Sequence, residues 1–253
     1  MKLTDLNNYL NQLLKPELFN DYCPNGLQVE GKQEVQHIVT GVTASYELLE
    51  AALAVKADAI LVHHGYFWRG ESAAIVGIKK RRIQFLLQHD LSLIAYHLPL
   101  DAHAELGNNV MLAKELGLVP TGWAGQKNKN EPNMLLLAEL SEPLPLKDFA
   151  QMIDRKLHRA AQVIGDLNQV VQKIALCTGA AQGYIEQAVA AGVDVYLSGE
   201  ISEPTVHIAR ETGVSYIAAG HHATERYGIQ ALGQHLAEKF GLTHTFIDCD
   251  NPV

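Results

Sequence analysis

Two adjacent pairs of histidines are the residues of this 253-residue chain with the clearest potential for chemistry. The pairs are His63-His64 and His221-His222, and Glu225 follows His221 by four residues. If a helix begins after Gly220, this spacing places His221 and Glu225 on the same helix face. Neutral imidazoles and carboxylates form a ligand set that suits zinc, manganese, iron, cobalt or nickel. The pattern therefore indicates a site for a divalent transition metal.

An internal repeat shows which elements position these residues. Residues 38–61 align without a gap with residues 174–197, and each copy holds an apolar run, a short turn, a helical segment and a second apolar run. A second helical segment, at 80–89 and 203–212, and a third apolar run, at 91–95 and 214–218, follow in each copy, and an amphipathic helix is expected at about 146–157 between the copies. This order predicts parallel strands. The fold class we expect is α/β, with two related lobes whose largely parallel or mixed sheets are flanked by helices.

Polar clusters follow the second and third predicted strands of both copies. The carboxyl ends of parallel strands form the edge at which α/β sheets bind ligands. His63-His64 and then His97-to-His103 occupy this edge in the first copy, and Glu200 and then His221-to-Glu225 occupy it in the second. We interpret five of these residues as metal ligands: His63, His64, Asp101, His221 and Glu225. Four further histidines are expected to line the site: His97, His103, His207 and His222.

Five ligands exceed the three protein ligands that one catalytic ion uses, so we expect two divalent cations per chain. A carboxylate and a water would bridge the pair, and Glu225 is the expected bridge because of its reach and helix position. Glu200 occupies the position of His64 in the repeat. It is expected in the crevice as a catalytic residue, a general base or a group that orients water, without being a ligand. Alternatively, Glu200 caps the helix that begins near Glu203.

Each cluster also has a structural explanation. A pair of histidines at a strand end can be a hydrogen-bonded structural pair, Asp101 can be a helix N-cap, and Glu225 can favour a helix dipole. The basic run Lys79–Arg82 is typical of a solvated helix face, although a bound anion would also relieve its charge at a helix N-terminus. Phe67-Trp68 can serve packing or can stack on a base.

Composition excludes several classes of protein. The 28 acidic residues outnumber the 20 basic residues, which disfavours nucleic acid as a stable partner. Three cysteines without a C-x-x-C spacing argue against a disulfide framework or a thiolate zinc site. We find no apolar run long enough for a membrane span and no signal-peptide pattern, so we expect a cytoplasmic protein without a membrane partner. P-loop, serine-hydrolase and zincin motifs are absent from the sequence.

Six segments of the chain resemble the GTP cyclohydrolase 1 type 2 homologue family, whose members are also called Nif-three-like proteins. They are Asp21–Gly31, Ile38–Thr43, Val62–Trp68, His97–Asp101, Ser198–Glu200 and Gly220–Arg226. The resemblance implies a dinuclear metal site formed by the same five ligands and a ring-shaped homohexamer. It also implies two interlocked α/β domains, the chain returning to the first near its end. The lobes we expect are 1–122 with about 216–253, and about 134–215, with a linker at 123–133.

Three classes of function remain open from the sequence. The first is a metal-dependent hydrolase of a small molecule, such as a nucleotide, another phosphorylated compound or a cyclic amide. The second is a metal-binding protein that catalyses no reaction. The third is an interaction scaffold, for which the ring-shaped oligomer matters more than the metal site. An open coordination position would favour the enzyme, and a saturated one would favour the metal-binding module.

Overall fold

The structure, a computed structural model, describes residues 1–126 and 132–253. The predicted linker at 123–133 therefore falls partly outside the described residues, because 127–131 are not among them. Within the described ranges the strands are β1 (Gly26–Val29), β2 (His37–Thr43), β3 (Ala59–His64), β4 (Ser92–Ala95), β5 (Val119–Ala124), β6 (Leu135–Pro145), β7 (Gln162–Ile164), β8 (Val170–Cys177), β9 (Val195–Ser198), β10 (Ser215–Ala218) and β11 (Thr243–Phe246).

Helices alternate with these strands along most of the chain. In the same ranges the α-helices are α1 (Leu3–Leu14), α2 (Tyr46–Ala54), α3 (Gly77–Gln88), α4 (Leu98–Asp101), α5 (Asn108–Glu115), α6 (Leu146–Leu157), α7 (Ile185–Ala190), α8 (Glu203–Thr212), α9 (His221–Thr224) and α10 (Arg226–Phe240). None of these helices has the combined length and apolar character needed to cross a bilayer. The chain divides into two compact units, which we call the first and second lobes.

The first lobe comprises Met1–Leu100 and Ile229–Asp250 and contains a five-stranded mixed sheet. The strand order is β1-β4-β3-β2-β11; β4, β3, β2 and β11 are parallel, and β1 is antiparallel to β4. The three strands predicted for the first copy are the central β2, β3 and β4. Ser45 begins α2 by accepting a hydrogen bond from the Leu48 backbone N–H through its hydroxyl, at 3.1 Å. Helix α2 can then bury Leu48, Leu49 and Ala52 in the lobe's core.

The second lobe comprises Asp101–Gly228 with Asn251–Val253 and contains a six-stranded mixed sheet. The order is β5-β6-β8-β9-β10-β7, in which β8, β9 and β10 are parallel. The other three strands pair antiparallel. Helix α6 is amphipathic and buries one face, made up of Leu146, Phe149, Ala150, Ile153 and Leu157. These apolar positions recur at helical spacing, which is why the sequence predicted a helix over this range.

The paired strands confirm the repeat in detail. Ile38 lies opposite Ala59 in the pairing of β2 with β3, and Ile174 lies opposite Val195 in the pairing of β8 with β9. These four residues occupy matching positions of the two copies. The two lobes therefore share the same register between their first and second repeat strands.

In both copies an aspartate links the first repeat strand to the start of the second. The Oδ2 atom of Asp58 accepts from two consecutive backbone N–H groups, as does the Oδ2 atom of Asp194. The donors are Gln36 and His37 for Asp58, at 3.0 and 3.1 Å, and Gln172 and Lys173 for Asp194, at 2.9 and 2.8 Å. Each carboxylate thus fixes the start of its first repeat strand against the start of its second.

The lobe boundaries differ from those expected from the sequence. The sequence placed them at 122 and about 216, whereas the structure divides the chain after Leu100 and after Gly228. Strand β5 pairs with β6, and β10 pairs with β9 and β7, so both belong to the second sheet. The divisions instead fall within α4 and α10, so that each of these helices contributes residues to both lobes.

Candidate metal centre

His63 is a buried side chain near the carboxyl end of β3. Its Nδ1 atom lies 3.0 Å from the carbonyl oxygen of Tyr96, the residue that follows β4. A backbone carbonyl can only accept a hydrogen bond, so Nδ1 donates to it, and Nε2 is the ring nitrogen that could bind a metal. Histidines that bind metals are commonly held in this way.

His97 is held by the same kind of contact, with a carboxylate as the partner. Its Nδ1 atom lies 2.7 Å from Oδ1 of Asp21, and both side chains are largely buried. An ionised carboxylate is an acceptor only, so Nδ1 donates, and Nε2 is the ring nitrogen that could bind a metal. Burial alone would raise the pKa of Asp21, but its hydrogen bond with His97, the charge of His97 and the Asn25 amide bring that pKa below its ordinary value.

Asp21 and Asn25 also fix the backbone at His97. The Asn25 amide oxygen accepts from the His97 N–H at 2.8 Å, and Asp21 Oδ2 accepts from the Leu98 N–H at 3.0 Å. The Asn25 amide nitrogen donates to Asp21 Oδ2 at 2.8 Å, which joins the two side chains. The turn before β1 thereby sets both the backbone and the imidazole of His97.

The first lobe brings three imidazoles together. One ligand atom from each of His63, His64 and His97 lies within 4.8 Å of the other two, a grouping that could hold a metal ion. His64 is oriented by Thr43, whose hydroxyl lies 3.1 Å from His64 Nδ1. Trp68 borders the cluster, with its ring centroid 5.0 Å from that of His97 and 5.9 Å from that of His64. His97, which was expected from the sequence to line the site, is thus one of the three residues of this grouping.

The second lobe brings His221 together with two carboxylates. Oε2 of Glu225 lies 3.2 Å from Nε2 of His221, and Oε1 of Glu200 lies 2.7 Å from its Nδ1. Burial lowers the pKa of His221, but hydrogen bonds and negative charge from Glu225 and Glu200 outweigh it and raise that pKa to about 9. Helix α9 begins at His221 directly after Gly220, and Glu225 directly follows its last residue. The side chains of His221 and Glu225 therefore face the same way, as their four-residue spacing predicted.

Asp101 is a buried carboxylate at the end of α4. Its Oδ1 atom accepts from the Asn108 amide at 2.9 Å and from the Thr178 hydroxyl at 3.2 Å. Asn109 in turn accepts from the Thr178 backbone N–H at 2.9 Å. Asp101 was also a candidate helix N-cap from the sequence. The structure instead ends α4 at Asp101 and occupies its side chain with these polar donors.

Two glycines allow the second lobe's groups to approach each other. Gly179 has φ +68°, and a Cβ atom there would lie 2.0 Å from Oε1 of Glu225 and 3.2 Å from Nε2 of His221. At Gly199 a Cβ atom would lie 2.7 Å from the Gly179 carbonyl oxygen and 2.8 Å from Cα of His221. No other residue type fits either position without moving backbone or carboxylate atoms.

The remaining predicted residues lie in different settings. Nδ1 of His103 accepts from the backbone N–H groups of the second and third residues after it. His207 is exposed on α8 and lies 3.1 Å from Oε1 of Glu203. The backbone N–H of His222 donates to the Val253 carbonyl at 2.9 Å. Glu200 contacts His221 and does not cap α8, because Ser202 is the N-cap residue of that helix.

Sequence reasoning missed the residues that orient these groups. Asp21 and Asn25 were noted only as part of the segment Asp21–Gly31, and Thr178 was not singled out. A signal for Thr178 was available, because it directly follows β8. Residues after the first repeat strand share an edge with those after the second and third, and extending the search to that strand would have found it.

Two mixed α/β lobes, with histidines and carboxylates that could hold metal ions, define the class of protein. A family model described as Duf34/NIF3 (NGG1p interacting factor 3) matches residues 1–252. The chain belongs to this family, which confirms the resemblance seen in the sequence. A Pseudomonas aeruginosa relative named GTP cyclohydrolase 1 type 2 homolog is 54% identical over 251 residues, 99% of this chain and 98% of the relative. An Escherichia coli K12 relative of the same name is 49% identical over 254 residues and the full length of both.

Solved structures share the fold. A protein described as ybgI, of unknown function, matches the whole of both chains with a TM-score of 0.94 and 49% identity. TTHA1606 from Thermus thermophilus also matches both chains completely, with a TM-score of 0.88 and 34% identity. Reduced HcgD from Methanocaldococcus jannaschii, at a TM-score of 0.80 and 21% identity, shows the likeness of fold alone.

Proposed function

We propose that this protein is a metal-dependent hydrolase of a small substrate, with two divalent transition-metal cations per chain. The proposed ligands are His63, His64, Asp101, His221 and Glu225. The observation that carries the proposal is the common orientation of the imidazoles: Nδ1 of His63 contacts a carbonyl oxygen and Nδ1 of His221 contacts a carboxylate. Each contact occupies Nδ1, so Nε2 is the ring nitrogen that would bind a metal, as expected of histidine ligands. In His221 this atom lies 3.2 Å from Oε2 of Glu225, another proposed ligand.

The donor set fits transition-metal ions better than calcium. Imidazole nitrogens with a few carboxylate oxygens suit zinc, manganese, iron, cobalt or nickel, whereas calcium takes six to eight oxygens. When bound, a pair of such ions would polarise an acyl or phosphoryl oxygen and supply hydroxide near neutral pH. The protein's own contribution is to fix the ligands in advance, through Tyr96 and Thr43 in the first lobe and Thr178 in the second.

Glu200 is proposed to position His221 and to take part in proton transfer. Its Oε1 atom lies 2.7 Å from Nδ1 of His221, and its side chain keeps about a third of its surface exposed. A partly exposed carboxylate beside a metal ligand can accept a proton from a substrate or a water. A Glu200→Gln protein that is fully metal-loaded and yet loses turnover supports this role. Full turnover in that protein restricts Glu200 to holding His221.

The experiment for the function is an activity screen of metal-loaded protein. The curated relatives carry a name that refers to GTP cyclohydrolase, so nucleotides and small cyclic amides are the first compounds to test. Replacing His64 with Ala should abolish any hydrolysis found. The matched control is His89→Ala, because His89 is an exposed histidine at the end of α3. Equal turnover in the two variants would contradict the proposal.

We also propose the ring-shaped homohexamer that the resemblance implies. Light scattering coupled to gel filtration should give six copies of the 27.8 kDa chain. If the ring forms and metal binds but no substrate is turned over, a non-catalytic metal-binding or scaffold protein becomes the better account. The cytoplasmic location expected from the sequence stays a prediction, which fractionation of cells would test.

A further inference from the structure

Arg159 is a cation that the fold holds next to a proposed metal ligand. Helix α6 ends at Leu157, and Arg159 follows in a turn fixed by Asp154. The Asp154 carbonyl accepts from the Arg159 N–H at 3.2 Å, and its carboxylate accepts from the Ala161 N–H at 2.7 Å. This turn directs the Arg159 side chain over Gly220, the residue immediately before His221.

Gly220 is the reason that the guanidinium can lie there. Its φ is +99°, and a Cβ atom at this position would lie 2.8 Å from both Cδ and Nε of Arg159 and 3.0 Å from Cζ. A larger residue at this position would have to displace the guanidinium. The close approach of the Arg159 side chain to the backbone here therefore relies on a glycine.

The guanidinium is bound to a neutral group. Both Nε and Nη2 donate to the same backbone carbonyl, that of Pro252, at 3.1 and 3.0 Å. Across the part of the chain that the structure describes, Arg159 forms no ion pair. The Nε and Nη2 donors form the edge of the planar fork that can make two parallel hydrogen bonds to the oxygens of a phosphate or carboxylate. The Pro252 carbonyl is a neutral group in the place of such an oxyanion.

The segment that supplies this carbonyl is attached by few contacts. Residues 251–253 are exposed, and besides the Arg159 bonds they have the Val253 carbonyl accepting from the His222 N–H at 2.9 Å. The Val253 N–H donates to the Asn251 side chain at 3.0 Å, within the segment itself. Hydrogen bonds to a charged group are stronger when the acceptor is also charged. An oxyanion can therefore replace the Pro252 carbonyl.

We propose that Arg159 binds an oxyanion of the substrate, a phosphate or a carboxylate, beside His221, and that residues 251–253 occupy this position until the substrate displaces them. The proposal rests on the proposed function, since it assigns the charge class of the substrate of the same site. It also makes the segment 251–253 a competitor of the substrate. Both parts can be measured without knowing the substrate.

The test uses inorganic phosphate and acetate as ligands in calorimetric titrations. Arg159→Met is compared with Arg155→Met, which removes the same charge from an exposed position of α6. We expect the Arg159 variant to bind one of the two anions at least about 10-fold more weakly than the Arg155 variant does, as the loss of a charged fork implies. The anion that loses affinity identifies the group that Arg159 recognises. Equal affinities of the two variants for both anions would overturn the proposal.

A variant that ends at Asp250 tests the competing segment. It should bind the same anion several-fold more tightly than the full chain, and adding Arg159→Met should cancel that gain. If removing residues 251–253 does not increase the affinity for the anion, the proposal that this segment competes with the substrate is overturned. Arg159→Lys, which keeps the charge but loses the fork, should bind with intermediate affinity and guards against a folding defect in the Met variant.

Titrations run on both metal-free and metal-loaded protein separate the two proposals. If Arg159→Met weakens anion binding in metal-free protein, the oxyanion site is supported even if no hydrolysis is found. Conversely, hydrolysis that is lost in His64→Ala but indifferent to Arg159→Met supports the enzyme and overturns the oxyanion site.

Discussion

Replacing Glu200 with Gln tests whether this carboxylate tunes His221 as a metal ligand. The substitution keeps the shape and an acceptor oxygen, but removes the negative charge 2.7 Å from Nδ1 of His221. A charged partner on Nδ1 raises the basicity of the imidazole, and losing such a partner commonly costs about 10- to 100-fold in metal affinity. This range corresponds to about 1.4–2.7 kcal/mol.

The loss should depend on pH in a direction that the structure sets. With both carboxylates present the pKa of His221 is about 9, so at pH 7 a metal must displace a proton from it. Two pH units below that pKa, proton competition weakens binding roughly 100-fold. Removing the charge of Glu200 lowers the pKa of His221 and relieves part of this competition. The variant should therefore lose less affinity at about pH 7 than at about pH 9.5, where little competition remains.

The assay is a competition titration of Zn²⁺ or Mn²⁺ against a chromophoric chelator at both pH values. Glu203→Gln is the matched control, since Glu203 is exposed at the start of α8 and pairs with His207. The reasoning would be refuted if Glu200→Gln bound metal within about twofold of the control at the higher pH, well below the expected loss. A larger loss of metal affinity at the lower pH than at the higher one would also refute it, because relief from proton competition predicts the opposite order.

Three further predictions concern the metal site and the repeat. Reconstituted protein should carry close to two ions per chain by elemental analysis, and one or none would contradict the dinuclear site. Glu225→Gln should lose more metal than His222→Ala, because His221 is the histidine that contacts Glu225; equal losses would mean that the wrong histidine was chosen. Asp58→Ala and Asp194→Ala should each lower the free energy of unfolding by about 1–3 kcal/mol, measured by denaturant titration, since each removes two backbone hydrogen bonds. If either substitution left the free energy of unfolding unchanged, other groups would be holding those two strands together.

The fold could be predicted where local patterns repeat. Helices α6 and α8 were expected over the residues they occupy, because apolar positions at helical spacing and clear breaks at both ends define them. Strand β11 was not expected, since it has only four residues and pairs with β2, about 200 positions earlier in the chain. The division of the structure into two units differs from the lobe boundaries expected from the sequence for the same reason. Membership of a sheet depends on long-range pairing, which local composition does not encode.

The candidate ligands could be predicted because topology brings strand ends to one edge, whereas their partners could not. Asp21 and Asn25 precede β1, a strand antiparallel to its neighbour β4, so the rule for parallel strand ends does not reach them. In sequence they form an ordinary turn pattern. Their role becomes visible only when β1 pairs with β4 and brings them to the backbone of His97.

The repeat explains why the two lobes contribute ligands from different strands. His63 and Gly199 hold equivalent positions after the second repeat strand, yet the second lobe has no room for an imidazole there. A Cβ atom at Gly199 would already lie 2.8 Å from Cα of His221, which comes from the end of the third strand. The second lobe thus uses the third strand for its histidine, and the residue matching His64, Glu200, contacts that histidine instead. The same position of the repeat therefore has two roles. In the first lobe it holds His64, a proposed ligand, and in the second it holds Glu200, which contacts the proposed ligand His221.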